Sequence, residues 1–198
     1  MNFTAQFVEE SHEVLRRLDI ASVEALATSM SGVREKGGRL FILGVGGSAG
    51  HAGHAVNDFR KLCQFEAYAA TDNVSELTAR INDEGWETCF AEWLKGCRLT
   101  ATDAVLVFSV GGGNKEKNVS VNIVRALEFA KQAGARVFGI VGKDGGFTKE
   151  VADACVVVPV VAPDHITPLT EGMCALIWHL LVSHPALKAA PTKWESIR

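Results

Sequence analysis

The stretch GVGGSAGHAGHAVNDF, residues 44–59, contains five glycines, two histidines and one aspartate. It continues the apolar run RLFILGV, residues 39–45, whose composition is typical of a buried strand. Glycines after a strand allow a tight turn, and a helix after such a turn directs backbone N–H groups towards anions. The stretch therefore predicts a strand, a turn and a helix that begins near Ser48. The turn is either a ligand-binding loop or only the entry to an ordinary surface helix.

Strand-like and helical segments alternate along the rest of the chain. Apolar or β-branched runs predict strands at residues 38–45, 65–71, 103–110, 135–142 and 154–160. Helical patterns occupy residues 49–62, 86–96, 117–133 and 148–153, with two helices within 3–33 and a long one at 168–182. This alternation predicts an α/β fold, a three-layer α/β/α sandwich around a five-stranded parallel sheet with helices in front of it at the N-terminus. We expect one domain over residues 1–198, comprising a helical segment 1–36, a sheet core 37–184 and an extended tail 185–198.

Composition argues against several classes of protein. A chain of 198 residues with 47% hydrophobic residues is long enough to bury a sizeable core. The net charge of −3 and the lack of a basic run argue against a nucleic-acid partner. The apolar runs are shorter than the ~20 residues that span a bilayer, so we expect no membrane segment. The five cysteines form no CxxC pair, and the acidic N-terminus does not resemble a signal peptide, so we expect reduced thiols in a cytoplasmic protein.

Glycine-rich loops follow three of the predicted strands, at residues 44–51, 109–118 and 142–150. Ligands of open parallel sheets bind at the carboxyl ends of the strands, where these loops meet. None of the loops has the Lys-Ser/Thr ending of a P-loop, and GVGGSAG is a poor dinucleotide-binding pattern. Any one loop is equally well explained as a simple turn, but three at one sheet edge favour a small anionic ligand.

Histidines and carboxylates recur at helical spacing on two segments. On the first predicted helix, His51, His54 and Asp58 share a face, and His54 and Asp58 have the i, i+4 spacing that suits one metal ion. On the last helix, Glu171 and His179 lie eight residues apart, about 12 Å along the axis. Both could bind one ion only if long side chains converge or a neighbouring subunit intervenes. The alternative is an ordinary core histidine and a glutamate that favours the helix start.

Five motifs occur in order along the chain: GVGGSAGHAGHAVNDF, TDNVSELTA, NDEGWETCF, DAVLVFSVGGG and RALEFAKQAGARVFGIVGKDGG. Together with the final helix they resemble the phosphoheptose isomerases of the sugar isomerase (SIS) domain superfamily over about residues 37–181. The resemblance implies a homotetramer with active sites between subunits. It also implies that a sugar phosphate, sedoheptulose 7-phosphate, is isomerised to a heptose 7-phosphate, and that each subunit holds one zinc ion.

The zinc-binding positions of that family correspond here to His54, Asp58, Glu171 and His179. Asp58 replaces a glutamate and Glu171 replaces a glutamine, so all four side chains remain able to bind zinc. The resemblance also assigns proton transfer to Asp58 and His179, with the roles of base and acid left open. Such a pair suits an aldose–ketose isomerisation through an enediol, which needs a base and an oxyanion stabiliser.

The substrate-binding positions match the family only in part. The phosphate loop SVGGGNKEKNVS is longer than the family's and has lost most of its hydroxyl side chains. Lys115 and Lys117 are candidate replacements, or else solvated lysines of a surface loop. The remaining candidates that the resemblance supplies are Gly46, Gly47, Ser48, Asp72, Asn73, Ser109, Gly111 and Gly112. The sequence therefore leaves open a substrate other than that of the family.

Two other functions compete with isomerisation. One branch of the superfamily is a non-enzymatic tetramer that binds a replication initiator, but it lacks the carboxylate and the last histidine that Asp58 and His179 supply here. Other SIS domains sense sugar phosphates, usually while fused to a DNA-binding domain, and this sequence shows no helix-turn-helix segment. The sequence therefore favours an enzyme.

Overall fold

A parallel sheet runs through the computed structural model, which describes residues 2–197 apart from the side chain of residue 194. Its strands are β1 (Leu40–Leu43), β2 (Ala67–Ala69), β3 (Ala104–Ser109), β4 (Arg136–Val141) and β5 (Ala154–Val157). They pair in the order β2-β1-β3-β4-β5, all in parallel. The predicted five-stranded parallel sheet is confirmed, although each strand is shorter than the apolar run that contains it.

Helices cover both faces of the sheet and confirm the three-layer arrangement. They are α1 (Phe3–Arg17), α2 (Ile20–Glu35), α3 (Gly47–Cys63), α4 (Val74–Glu84), α5 (Cys89–Gly96), α6 (Val121–Gln132), α7 (Gly146–Val151), α8 (Ile166–Ser183) and α9 (Lys193–Ser196). The core on one face takes residues from α1, α2, α3 and α8. The core on the other face takes residues from α5 and α6, with side chains of α4 and α7 packed against it.

The strands supply both cores by simple alternation. Leu40 and Ile42 of β1 belong to the core beneath α3 and α8, whereas Phe41 and Leu43 belong to the opposite core. All four are fully buried. Because both faces of the central strands β1 and β3 meet helices, these strands have continuous apolar runs instead of an alternating pattern.

Three local features differ from the sequence-based prediction. Helix α4 was not predicted; it begins at Asn73, whose Oδ1 accepts hydrogen bonds from the backbone N–H of Ser75 and Glu76. Helix α6 begins at Val121 instead of 117, because Asn114 and Val119 exchange backbone hydrogen bonds of 2.8 and 3.0 Å in a short hairpin. The tail predicted as extended contains the short helix α9.

Helix α3 begins in the tight turn that the glycines predict. Gly46 has φ +63°, a conformation that favours glycine. A Cβ on Gly44 would stand 2.4 Å from the carbonyl oxygen of Ser48, so the turn also needs glycine there. The turn places the start of α3 at the carboxyl end of β1, where ligands of such sheets bind.

Helices α3 and α8 lie side by side and run in the same direction. Gly47, at the start of α3, lies against Glu171 in the early part of α8. Near the other end, the Cys63 thiol donates to the carbonyl oxygen of Val182 at 3.7 Å. This pairing determines which side chains of the two helices meet.

The apolar character of α8 belongs to this packing. By length and composition the stretch Pro163–Ser183 would suit a membrane span. However, Ile177, Trp178 and Leu181 are fully buried in the core that α8 shares with α3 and the sheet. One face of the helix therefore belongs to the core, and 44% of the apolar window is buried.

Candidate active site

His54 and Asp58 of α3 and His179 of α8 converge in one group. Their ligating atoms all lie within 4.8 Å of one another. The Oδ2 atom of Asp58 is 3.7 Å from Nε2 of His54 and 3.9 Å from Nε2 of His179. The two imidazole rings stand nearly perpendicular, with centroids 5.4 Å apart. A carboxylate oxygen thus faces two ring nitrogens.

The tautomer of His179 follows from its backbone contact. Its Nδ1 lies 2.7 Å from the carbonyl oxygen of Ala175, one turn earlier in α8. Because a carbonyl oxygen only accepts, Nδ1 carries the proton in the neutral ring. The lone pair of Nε2 is therefore directed to the side where Asp58 lies.

Trp178 supports both imidazoles. Its ring stacks on His179 at 3.5 Å and meets His54 edge-on at 4.7 Å. Since Trp178 is fully buried, it is a rigid platform under two rings that are more than half exposed. The support that Trp178 gives to the site depends on the packing of α8 against α3, which no pattern within one segment of the sequence predicts.

The Asp58 carboxylate is oriented by its neighbour. Its Oδ1 accepts a hydrogen bond of 2.8 Å from the amide of Asn57, and Oδ2 faces the histidines. The side chain of Asp58 is only 16% exposed, against 58% for His54. The carboxylate is therefore sheltered while one edge of the group stays open.

This donor set fits a zinc ion. Zn²⁺ accepts imidazole nitrogen and carboxylate oxygen, and catalytic zinc sites have three protein ligands and one open position. His54, Asp58 and His179 supply these three donors, and the hydrogen bond at Nδ1 of His179 is the outer contact that zinc-binding histidines make.

Glu171, the fourth predicted ligand, is not brought to this group. A Cβ on Gly47 would lie 2.6 Å from Oε1 of Glu171, so its carboxylate lies against the start of α3. Because α3 and α8 run in the same direction, the eight residues between Glu171 and His179 remain an axial separation of about 12 Å. The expected convergence of long side chains does not occur within the described chain.

The candidate phosphate-binding residues form a rigid loop cluster at the sheet edge. Ser109, at the end of β3, accepts a hydrogen bond of 3.0 Å from the N–H of Gly112. Gly112 has φ +68°, and its carbonyl oxygen accepts 2.9 and 2.7 Å hydrogen bonds from the N–H and hydroxyl of Thr148. The carbonyl of Gly111 lies against Gly146, so the loops after β3 and β4 pack backbone to backbone.

The other predicted substrate residues lie at the start of α3 and in the chain that follows β2. Gly46 and Gly47 form the turn into α3, and Ser48 in its first turn is buried. Asp72 accepts a hydrogen bond from the N–H of Ala69, and its other oxygen would lie 3.3 Å from a Cβ on Gly53, next to His54. Asn73 uses its side-chain oxygen to begin α4.

Lys115 and Lys117 lie on the hairpin between Asn114 and Val119. The Lys115 ammonium is 2.8 Å from Glu128, two turns into α6, and this hydrogen bond holds the pKa of Glu128 below its usual range. Lys117 is exposed, and its backbone N–H donates to the Asn114 side chain. The position of Lys115 favours the surface alternative.

His51 and the cysteines remain outside the three-residue group. His51 is partly buried in α3 and does not belong to the group that His54 forms with Asp58 and His179. Among the described residues all cysteines are free thiols, and burial raises the pKa of Cys63 and Cys155 to about 11. Thiols with raised pKa values are poor nucleophiles at neutral pH.

Comparison with known proteins supports the resemblance. A family model described as SIS domain matches residues 5–142. A phosphoheptose isomerase of Trichlorobacter lovleyi is 32% identical over 189 residues, 91% of this chain and 90% of that protein. The lincomycin biosynthesis protein LmbN of Streptomyces lincolnensis is 34% identical over 155 residues, 75% of this chain, and the chain spans 56% of that longer protein.

The fold is also similar to that of a solved phosphoheptose isomerase. The structure of phosphoheptose isomerase GmhA from Neisseria gonorrhoeae superposes with a TM-score of 0.77 at 24% identity, covering 91% of this chain and 92% of that one. This likeness concerns the fold. With the SIS domain match and the similarity along nearly the whole T. lovleyi protein, the chain belongs to the phosphoheptose isomerase family of SIS domain proteins and is an isomerase.

Proposed function

We propose that this isomerase interconverts a phosphorylated ketose and aldose, with sedoheptulose 7-phosphate as the substrate. The observation that carries the proposal is the convergence of His54, Asp58 and His179, in which both histidines face one carboxylate oxygen of Asp58. The T. lovleyi relative is named a phosphoheptose isomerase. A non-enzymatic SIS protein has no need for this group.

The proposal includes one Zn²⁺ per chain, held by His54, Asp58 and His179. When bound, zinc supplies a Lewis acid that polarises the carbonyl and holds neighbouring oxygens of the sugar. Glu171, the fourth predicted ligand, lies against Gly47 within its own chain and would join such a set only across a neighbouring subunit. Three protein ligands leave a position for substrate.

Isomerisation moves one proton between C1 and C2 of the sugar and a second between the oxygens on those carbons, and two groups of this chain are placed to take part. Asp58 presents a carboxylate whose Oδ1 is oriented by Asn57, and His179 presents Nε2 with its lone pair free of the helix. We assign proton transfer to Asp58 and His179. Because one lone pair cannot bind zinc and accept a proton at once, His179 takes part through Nε2 only while zinc does not hold that nitrogen. General acid–base catalysis of this kind contributes about 10²–10⁴-fold to the rate.

The phosphate end is proposed to bind at the glycine-rich loops. Ser48, Ser109 and the backbone N–H groups around Gly46–Gly47 lie at the carboxyl ends of β1 and β3, with Gly111 and Gly112 in the loop that Ser109 begins. Helix starts and successive N–H groups favour phosphate. Asp72, which lies against the middle of α3 at Gly53, and Asn73, which caps α4, are proposed to contact sugar hydroxyls.

We further propose that the chain acts as a cytoplasmic homotetramer. Free cysteines among the described residues suit a reducing compartment. Exposed apolar side chains on α1, on α2 and on the outer face of α8 support association: Phe3, Val8, Leu15, Ile20, Leu176 and Leu180. Light scattering at micromolar concentration tests this, and a monomer would contradict it.

Incubation of zinc-loaded protein with sedoheptulose 7-phosphate, followed by NMR of the anomeric region, tests the activity. We expect new aldose signals, and a loss of at least 100-fold in kcat for Asp58→Asn and for His179→Gln. Cys174→Ala is the matched control, because this buried thiol has a raised pKa and no place in the mechanism. Sugar binding without turnover in the zinc-loaded wild type would instead indicate a sensing module.

A further inference from the structure

A cavity of about 400 Å³ adjoins the three-residue group on the side away from the glycine-rich loops. Its walls come from three parts of the chain. Helix α3 contributes His54, Asp58 and Lys61, and α8 contributes His179 and Ser183. The third wall is the C-terminal segment, residues 189–196, through Thr192, Lys193 and Glu195. The volume lies in the range of small-molecule sites.

The C-terminal segment is fixed at its base. The N–H groups of Ala189 and Ala190 both donate to the carbonyl oxygen of Leu62, at 2.7 and 3.0 Å. Just before them, Leu187 is fully buried in the core. The Lys188 ammonium donates to the Thr192 hydroxyl at 3.0 Å, immediately before α9. These contacts hold the segment against the last turn of α3.

Arg34 of α2 reinforces this base. Its guanidinium donates to the carbonyl oxygens of Cys63, Ala186 and Leu187, the first two at 3.2 and 3.0 Å. Three elements are thereby joined at one point: α2, the end of α3 and the chain after α8. Beyond this point the segment turns to face Asp58, one helical turn from Leu62.

The order of features along α3 indicates which part of the sugar this wall meets. The glycine-rich turn precedes Ser48, and Asp58 lies ten residues further on, about 15 Å along the helix. The C-terminal segment contacts the last turn of α3, beyond Asp58. A sugar phosphate with its phosphate at the loops and its carbonyl at Asp58 and His179 therefore directs its C1 end to the C-terminal segment.

The charges in the cavity also favour a neutral group. Asp58 and Glu195 are carboxylates, while Lys61 and Lys193 carry ammonium groups. Two carboxylates oppose a second anion, whereas carboxylate and ammonium groups together suit hydroxyls that both donate and accept. Glu195 is exposed and lies in the first turn of α9.

We propose that the C-terminal segment is the outer wall of the active site and that Glu195 positions the hydroxyl-bearing C1 end of the sugar. This inference rests on the proposed function for the identity of the sugar. Glu195 acts by accepting a hydrogen bond from a substrate hydroxyl, and it is neither a metal ligand nor a proton carrier. Its role is to fix the reacting carbons relative to Asp58 and His179.

Calorimetric titration with sedoheptulose 7-phosphate tests the proposal on the zinc-loaded chain of 198 residues. Glu195→Gln should weaken binding about tenfold, because a carboxylate is the stronger acceptor. Glu195→Asp should recover part of the loss. In chelator competition the zinc affinity of both variants should stay within twofold of the wild type. The control is Glu87→Gln, an exposed glutamate near α5 on the opposite face of the sheet, which should change nothing.

The outcomes separate this inference from the proposed function. An unchanged dissociation constant for Glu195→Gln would overturn the inference while leaving turnover by the wild type intact. The wild type could instead bind the sugar without converting it, while Glu195→Gln binds it more weakly. That result would support the C-terminal segment as the wall of the site and contradict the isomerisation of this sugar. Absence of binding by the wild type would overturn both. A tenfold loss of zinc affinity would make Glu195 a metal ligand and also contradict the proposed role.

Discussion

Nδ1 of His179 lies 2.7 Å from the carbonyl oxygen of Ala175, while Nε2 of the same ring lies 3.9 Å from Oδ2 of Asp58. The first contact uses the proton of the neutral ring, so the second nitrogen is left as a ligand or base. A single helical turn of α8 thus determines the chemical role of the ring. The backbone carbonyl of Ala175 makes this contact, so no further side chain is needed.

We predict about one zinc ion per chain after purification without chelator. His54→Ala and His179→Ala should each weaken zinc binding by at least tenfold, because each removes one of three donors. Elemental analysis and chelator competition measure this. His12→Ala is the matched control, since His12 is an exposed residue of α1. Zinc near zero in the wild type, even after reconstitution, would contradict the metal assignment.

Much of the fold could be predicted because parallel strands buried on both faces are apolar throughout. The pair His54 and Asp58 was also accessible, since i, i+4 spacing within one helix fixes proximity. The position of the Glu171 carboxylate could not be predicted, because it depends on α3 and α8 running side by side in the same direction. No local pattern encodes this pairing of two helices that lie far apart in the chain.

The C-terminal segment shows the same limit more strongly. Its lack of periodicity predicted an extended tail, yet Arg34 holds the chain just before the segment, at Ala186 and Leu187, across more than 150 positions. The hairpin that contains Lys115 differs from prediction for a related reason: the ion pair with Glu128 involves residues 13 apart on different elements. Contacts that are formed between elements decide where a loop residue points.

We predict that Lys115→Ala changes KM by less than twofold, because its ammonium is paired with Glu128 on the outer side of α6. Ser109→Ala should raise KM about five- to tenfold with kcat little changed, since its hydroxyl holds the N–H of Gly112 in the loop proposed to bind phosphate. Steady-state kinetics with sedoheptulose 7-phosphate compares the two. If Lys115→Ala raised KM more than Ser109→Ala did, the phosphate would bind at the hairpin instead of the loop after β3.

Asp103 predicts a specific dependence of stability on pH. Burial would raise the pKa of this carboxyl, but hydrogen bonds from Arg39 and Thr100 outweigh it and hold the pKa below its usual range. The ionised form therefore stabilises the fold above the unfolded pKa of ~3.9, and this contribution is lost as the pH falls through the lower folded value.

Asp103→Asn should lower the free energy of unfolding at pH 7 by about 3 kcal/mol, because the side chain is almost fully buried beside Arg39. It should also flatten the loss of stability below about pH 4. Urea denaturation from pH 3 to 7 measures both. Glu92→Gln, which removes a more exposed ion pair with Lys95, should cost less than about 1 kcal/mol. Equal effects of the two substitutions would contradict the burial argument.

The last prediction concerns the anchor of the C-terminal segment. Arg34 donates to the carbonyl oxygens of Cys63, Ala186 and Leu187, and hydrogen bonds from a charged donor contribute about 1.5–3 kcal/mol each. Arg34→Ala should therefore speed amide exchange in residues 186–197 by at least tenfold, since opening of this segment becomes easier. Exchange in β3 and β4 should change little, because those strands lie in the centre of the sheet.

Hydrogen exchange with mass spectrometry resolves these regions in one experiment. Arg125→Ala is the matched control, because its guanidinium pairs only with the exposed side of Glu128 among the described contacts. If the C-terminal segment is the outer wall of the site, Arg34→Ala should also raise KM while leaving zinc affinity within twofold, although Arg34 itself does not line the cavity. Faster exchange with unchanged KM would show that the anchor stabilises the chain end without shaping the site.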